Sequence, residues 1–274
     1  MQPQGHKPPV FFVPPASGSP LCYVELALQL GDAQPAYGLQ APGLYDDAPL
    51  ITRLEDMAAY YVAAMRYVQP AGPYHLVGWS FGSMVAFEMA RLLEQQHEAV
   101  AFLGLLDTGL AYDPRRSPGT PLQDLLLALR LTMANMVKVK FPTSYRDLKQ
   151  LASWFGVSLP ASLQHLWQRD LSSQWAFLRY LLGMSLRSFK LFRSNFIAAQ
   201  QYVAAPYGGH ATLFRTTPAS AALPPTEDAV VTMLRTFVEG GLEVHYVPGN
   251  HMTLLETANV GILAQKIKAA LAQA

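Results

Sequence analysis

The chain has 274 residues, 51% hydrophobic and 14% charged, which suits one well-packed domain with room for an inserted subdomain and excludes disorder as its main state. With 20 basic and 19 acidic side chains the formal charge is +1, so no broad field draws nucleic acid or an anionic membrane, and partners must be recognised locally. The single cysteine, Cys22, can form no internal disulfide and has no His or Cys neighbours at ligand spacing; it reads as a small buried hydrophobe, and no metal site is expected.

In chain order, the first predicted element is the apolar run Val10 to Val13, closed by Pro14 and Pro15. It is too short for a signal-peptide core or a membrane span, so a cytoplasmic protein is expected. Ala36 to Leu39 is a second such run, and Leu54, Met57, Ala58, Tyr61, Met65 and Val68 follow at helical spacing. His75 to Trp79 is a third strand, followed by a helix with Met84, Val85, Met89, Leu92 and Leu93 on one face. Val100 to Leu106, Ala211 to Phe214 and Leu242 to Val247 complete the strands, and Val260, Leu263, Ala264, Ile267 and Leu271 mark a last helix. Short apolar strands alternating with helices predict a mostly parallel α/β sheet flanked by helices.

The alternation breaks once, between about Ala111 and about Arg187, where helical stretches appear without a strand-like run. This predicts a helical lid over residues 111–187, inserted into a core formed by residues 1–110 and 188–274. Most of the apolar side chains of the insertion should pack it onto the body; a few should line a cavity.

Gly78-Trp79-Ser80-Phe81-Gly82 matches the nucleophile-elbow pattern Gly-x-Ser-x-Gly. The pattern alone is short enough to arise by chance, but here a strand precedes it and a helix follows. That setting lifts a serine hydroxyl clear of the sheet, lets backbones approach at the glycines and presents helix N-terminal amides to developing negative charge. A tetrahedral oxyanion needs preorganised N–H donors, and the amide after the nucleophile, Phe81, is the first expected. The second should come from Pro14-Pro15-Ala16-Ser17-Gly18 after the first strand, where Ala16 is the first residue past the prolines with an N–H; Ser17 is the alternative.

Of seven histidines, His251 alone falls in a loop just past the last strand and before the final helix, where imidazole can reach the elbow serine; a late histidine also fits the chain order Ser, Asp, His. For the acid, Asp107 ends the strand next after the nucleophile strand and is the only carboxylate between Glu98 and Asp113. The other position used for an acid, after the penultimate strand, holds Arg215-Thr216-Thr217-Pro218, with no carboxylate before Glu227.

At these residues the chain resembles the terminal thioesterase domains of nonribosomal peptide synthetases and polyketide synthases. The segments that carry the likeness are Phe11 to Gly18, Tyr37 to Gly43, Gly72 to Gly82, Phe102 to Asp107 and Pro248 to Leu255. The resemblance implies an α/β-hydrolase fold with a helical lid, a triad of Ser80, Asp107 and His251, and oxyanion donors at Ala16 and Phe81. It further implies no bound cofactor, and an acyl or peptidyl chain delivered on the phosphopantetheine arm of a carrier protein. Ser80 would accept that chain as an ester and release it by hydrolysis or macrocyclisation. Ser83 departs from the family, which often has a second glycine there. A discrete editing thioesterase, a small-molecule esterase and a non-catalytic binding module are the competing readings; a binding module would have no reason to keep all three triad side chains together.

Overall fold

The computed structural model describes residues 1–108, 187–188, 190–217, 229–251 and 253–273. Six strands, β1 (Val10–Val13), β2 (Ala36–Gly38), β3 (Tyr74–Trp79), β4 (Val100–Leu106), β5 (Ala211–Thr217) and β6 (Leu242–Pro248), form one sheet in the order β2-β1-β3-β4-β5-β6. Every strand pair is parallel. The expected lid, residues 111–187, lies outside the described residues apart from Arg187.

Alternation along β1 explains the layering. Phe11 and Val13 face one hydrophobic layer while Val10 and Phe12 face the other, and all four are fully buried. The first layer receives helices α2 (Leu54–Arg66) and α3 (Phe81–Gln95), together with α4, residues 190–201, and α5 (Ala229–Arg235). The second receives α1 (Val24–Leu30), entered through a 3-10 turn at Pro20–Tyr23, and α6 (Thr257–Leu271). A sheet covered on both faces can carry strands as apolar as Val-Phe-Phe-Val, because no edge of the side-chain pattern needs to be polar. No helix among the described residues is long and apolar enough to cross a membrane.

The strand order places the site. From β1 the chain goes to one side to make β2, then returns to the other side of β1 to make β3. The carboxyl ends of β1 and β3 therefore flank a topological switch point, where the two connections diverge and leave a crevice.

One strand is longer than its apolar run. Sequence hydrophobicity ends at Phe214, but β5 continues through Arg215, Thr216 and Thr217, paired with Tyr246, Val247 and Pro248 of β6. Burial fades over those residues while the backbone ladder does not. Hydrogen bonding, indifferent to side-chain polarity, carries the strand onward.

Candidate active site

The elbow between β3 and α3 is built by close backbone approach. Ser80 has φ 57° and ψ −124°, outside the regions an L-residue prefers, at a cost on the order of 1–3 kcal/mol that the surroundings must over-determine. A side chain at Gly78 would collide with the backbone of Gly82, and one at Gly82 with the carbonyl oxygens of Val13 and Pro14. The same glycine thus lets the loop after β1 lie directly against the start of α3.

Hydrogen bonds hold the turn from several sides. Ser80 N–H donates to the Leu106 carbonyl at 3.1 Å, and Thr108 Oγ1 donates to the Ser80 carbonyl at 3.0 Å. Ser83, fully buried, donates its hydroxyl to the Gly78 carbonyl at 2.5 Å and accepts from Leu106 N–H at 3.1 Å. The residue at which the sequence departs from its resemblance is therefore a staple between the elbow and the end of β4. Tyr23, also fully buried, donates to the Val13 carbonyl at 2.7 Å and accepts from Trp79 N–H at 2.7 Å. Its phenol clamps the ends of β1 and β3 across the switch point.

Ser80, His251 and Asp107 come together in one hydrogen-bonded chain. His251 Nε2 lies 3.0 Å from Ser80 Oγ, and its Nδ1 lies 2.9 Å from Asp107 Oδ2. The His251 loop is set by Gly249, whose φ of 117° a side chain would strain, and by Asn250 and Thr253. Asn250 N–H donates to Thr253 Oγ1 at 2.9 Å, and Thr253 N–H donates back to Asn250 Oδ1 at 3.1 Å. The indole of Trp79 lies beside the His251 ring, with centroids 5.3 Å apart and planes tilted by 33°.

Asp107 is 5% exposed and leaves β4 in a left-handed conformation, φ 44°. Its second oxygen, Oδ1, accepts from Arg215 at 2.6 Å and from the Thr216 amide at 3.1 Å. Burial alone would push the carboxyl up; the hydrogen bonds from His251 and Thr216 and the charge of Arg215 outweigh it and hold the group well below the usual carboxylate range. Arg215 and Thr216 are the residues read from the sequence only as places where no acid stood. Their position in the β5 extension, one strand over from Asp107, makes them its donors. A cation directly after the penultimate apolar run, facing a lone carboxylate after the preceding one, is the signal that could have found this pair.

Of the two expected oxyanion donors, Phe81 is the first residue of α3, where an amide has no partner within the helix. Ala16 lies half-buried in the loop after β1, and its carbonyl accepts from Asn195 Nδ2 of α4 at 3.0 Å. Cys22 is half-buried rather than buried as its sequence reading expected, and desolvation pushes its thiol up to about 12.

A doubly wound parallel sheet with a serine on a strand-turn-helix elbow and a histidine after the last strand defines an α/β-hydrolase. Within that class the chain belongs to the thioesterase domain family, whose model matches residues 8–271. It is 27% identical over 265 residues, 96% of its length, to malpibaldin synthetase of Mortierella alpina, and 48% identical over 103 residues, 38% of its length, to a dimodular nonribosomal peptide synthase of Bacillus subtilis (strain 168). Each match covers 4% of the synthetase. Among solved structures, the NocB thioesterase domain in covalent complex with a fluorophosphonate nocardicin G analogue matches 99% of this chain and 97% of its own, with TM-score 0.68 and 24% identity.

Proposed function

We propose that the protein releases an acyl or peptidyl chain from the phosphopantetheine thioester of a carrier protein, using Ser80 as nucleophile. The observation that carries this reading is the hydrogen-bonded chain from Ser80 Oγ through His251 to a charged Asp107, set at the switch point of a thioesterase-family fold.

In the first half-reaction His251 Nε2 takes the Ser80 proton as Oγ bonds to the thioester carbonyl carbon. The Ala16 and Phe81 amides receive the oxyanion, and Asp107 holds the imidazolium in place. Collapse breaks the carbon–sulfur bond, and the departing thiolate takes the proton from His251. In the second half-reaction His251 removes a proton from water, or from a hydroxyl or amine within the acyl chain. That nucleophile attacks the ester carbonyl, and Ser80 leaves with its proton restored. Water gives a free acid; an internal nucleophile gives a lactone or lactam. No cofactor bound to this domain enters either step. Residues 111–187, as a lid, would shield the ester from premature attack.

Comparison of a carrier-tethered acyl thioester with a nitrophenyl ester tests the substrate class. Binding energy from the arm and chain orients the carbonyl, so kcat/KM should be at least about a hundredfold higher for the carrier-bound thioester. Equal efficiency on the two would make the protein a general esterase.

A further inference from the structure

The buried face of α4 has one residue that does not fit. Leu191, Asn195 and Ala198 lie at helical spacing and are 2%, 3% and 2% exposed. Leu191 packs with Ala41 and Leu44, and Ala198 joins the main core on the α2 and α3 side of the sheet. An amide in the middle of such a stripe is unfavourable unless it is hydrogen-bonded, and an apolar side chain would be the ordinary choice. Among the described residues, Asn195 Nδ2 donates to a backbone acceptor, the Ala16 carbonyl, at 3.0 Å.

What that bond controls follows from the turn it reaches. Gly18 N–H donates to the Pro15 carbonyl at 2.8 Å, which closes a four-residue turn with Ala16 and Ser17 at its centre. The closing bond fixes the Pro15–Ala16 peptide plane through its carbonyl and therefore directs the Ala16 N–H, since N–H and C=O of a trans peptide are opposed. The central Ala16–Ser17 peptide is the part of such a turn that the closing bond does not hold; turns of types I and II differ by its flip. Asn195 holds that plane. Leu191 grips the same turn from below, because a side chain at Gly18 would collide with Leu191 and Ala41.

We infer that Asn195 is the positioning residue of the oxyanion site, locking the Pro15 to Gly18 turn so that its amides stay aimed at the carbonyl that Ser80 attacks. This rests on the reading of Ser80 as nucleophile. Asn195 touches no reacting atom. It acts through the turn: its loss frees the central peptide, which turns the Ser17 N–H, and leaves the closing bond as the one remaining restraint on the Ala16 N–H. Preorganised donors work because they need no rearrangement when charge develops, so a freed turn weakens the transition state more than the bound substrate.

Two variants test this with different risks to folding. Asn195→Leu completes the apolar stripe, and Asn195→Asp keeps the shape while removing the donor. Rates with a short-thiol acyl thioester are expressed per site titrated by a fluorophosphonate, so that loss of folded protein does not register. Both variants should lower kcat by about tenfold with KM within about twofold, and should weaken binding of a boronic acid, which forms a tetrahedral anion on serine, by the same factor as kcat. A purely structural role would lower the titrated fraction and leave the per-site kcat and the boronate affinity unchanged in both variants, and that result would overturn the inference. Absence of a fluorophosphonate adduct on Ser80 in the unsubstituted protein would instead overturn the nucleophile reading, and this inference with it.

Discussion

At the scale of single residues, Asp107 anchors the hydrogen-bonded chain that runs through His251 to Ser80. Both of its oxygens are engaged, one by His251 and the other by Arg215 and the Thr216 amide, so the carboxylate has a fixed orientation as well as a fixed charge. A carboxyl held below its ordinary value of 3.8 stabilises the folded state above that value, and the contribution is lost as pH falls through the lower folded value. Asp107→Asn removes it. Denaturant midpoints of the native and Asp107→Asn proteins should therefore differ at neutral pH, with the native protein more stable, and the gap should close only below about pH 4. The same substitution should lower turnover by about four orders of magnitude, because an amide presents the imidazole with the wrong tautomer. A gap independent of pH, or near-native turnover, would show that Asp107 is neither charged nor coupled to His251. Motif and position single out Ser80 and His251 in the sequence, and elimination singles out Asp107; the structure brings the three side chains within hydrogen-bond distance. Arg215 is not legible in the sequence, because a charged residue after an apolar run reads as the end of a strand, whereas the β5 ladder carries it onward beside the acid.

At the scale of elements, the elbow depends on β4 as much as on its own turn. Ser83 Oγ accepts from Leu106 N–H in a site with no access to water. Ser83→Ala removes both hydroxyl bonds, to the Gly78 carbonyl and from the Leu106 amide, from a fully buried site, which should destabilise the protein by about 2 kcal/mol, read as a lower denaturant midpoint at unchanged slope. Unchanged stability would mean that the elbow is held by its backbone bonds alone. The six strands were legible because each is a short apolar run between turn signals, and α2, α3 and α6 because their apolar residues recur at helical spacing. The helix α4 was not. Its buried stripe is broken at the centre by Asn195, and a polar residue there defeats a reading based on hydrophobic period. The Tyr23 clamp was illegible for a different reason: it joins residues 10 and 56 positions apart through a hydroxyl, and no local pattern announces such a partner.

At the scale of the whole molecule, alternating strands and helices indicated a parallel sheet, but the order β2-β1-β3-β4-β5-β6 is a property of chain return that hydrophobic runs do not encode. That order matters most for function. It brings the loop after β1 against the elbow after β3, and the ends of β4 and β6 close enough for Asp107 and His251 to bond. If this convergence makes Ser80 the nucleophile, Ser80 is the residue that carries the acyl group. Incubation with an acyl thioester, acid quenching and peptide mass spectrometry test it most directly. The acyl mass should appear on the peptide containing Ser80 and disappear in Ser80→Ala, together with a loss of turnover of about a million-fold. An acyl group found instead on Ser17, Ser19 or Cys22, or turnover that survives Ser80→Ala, would contradict it.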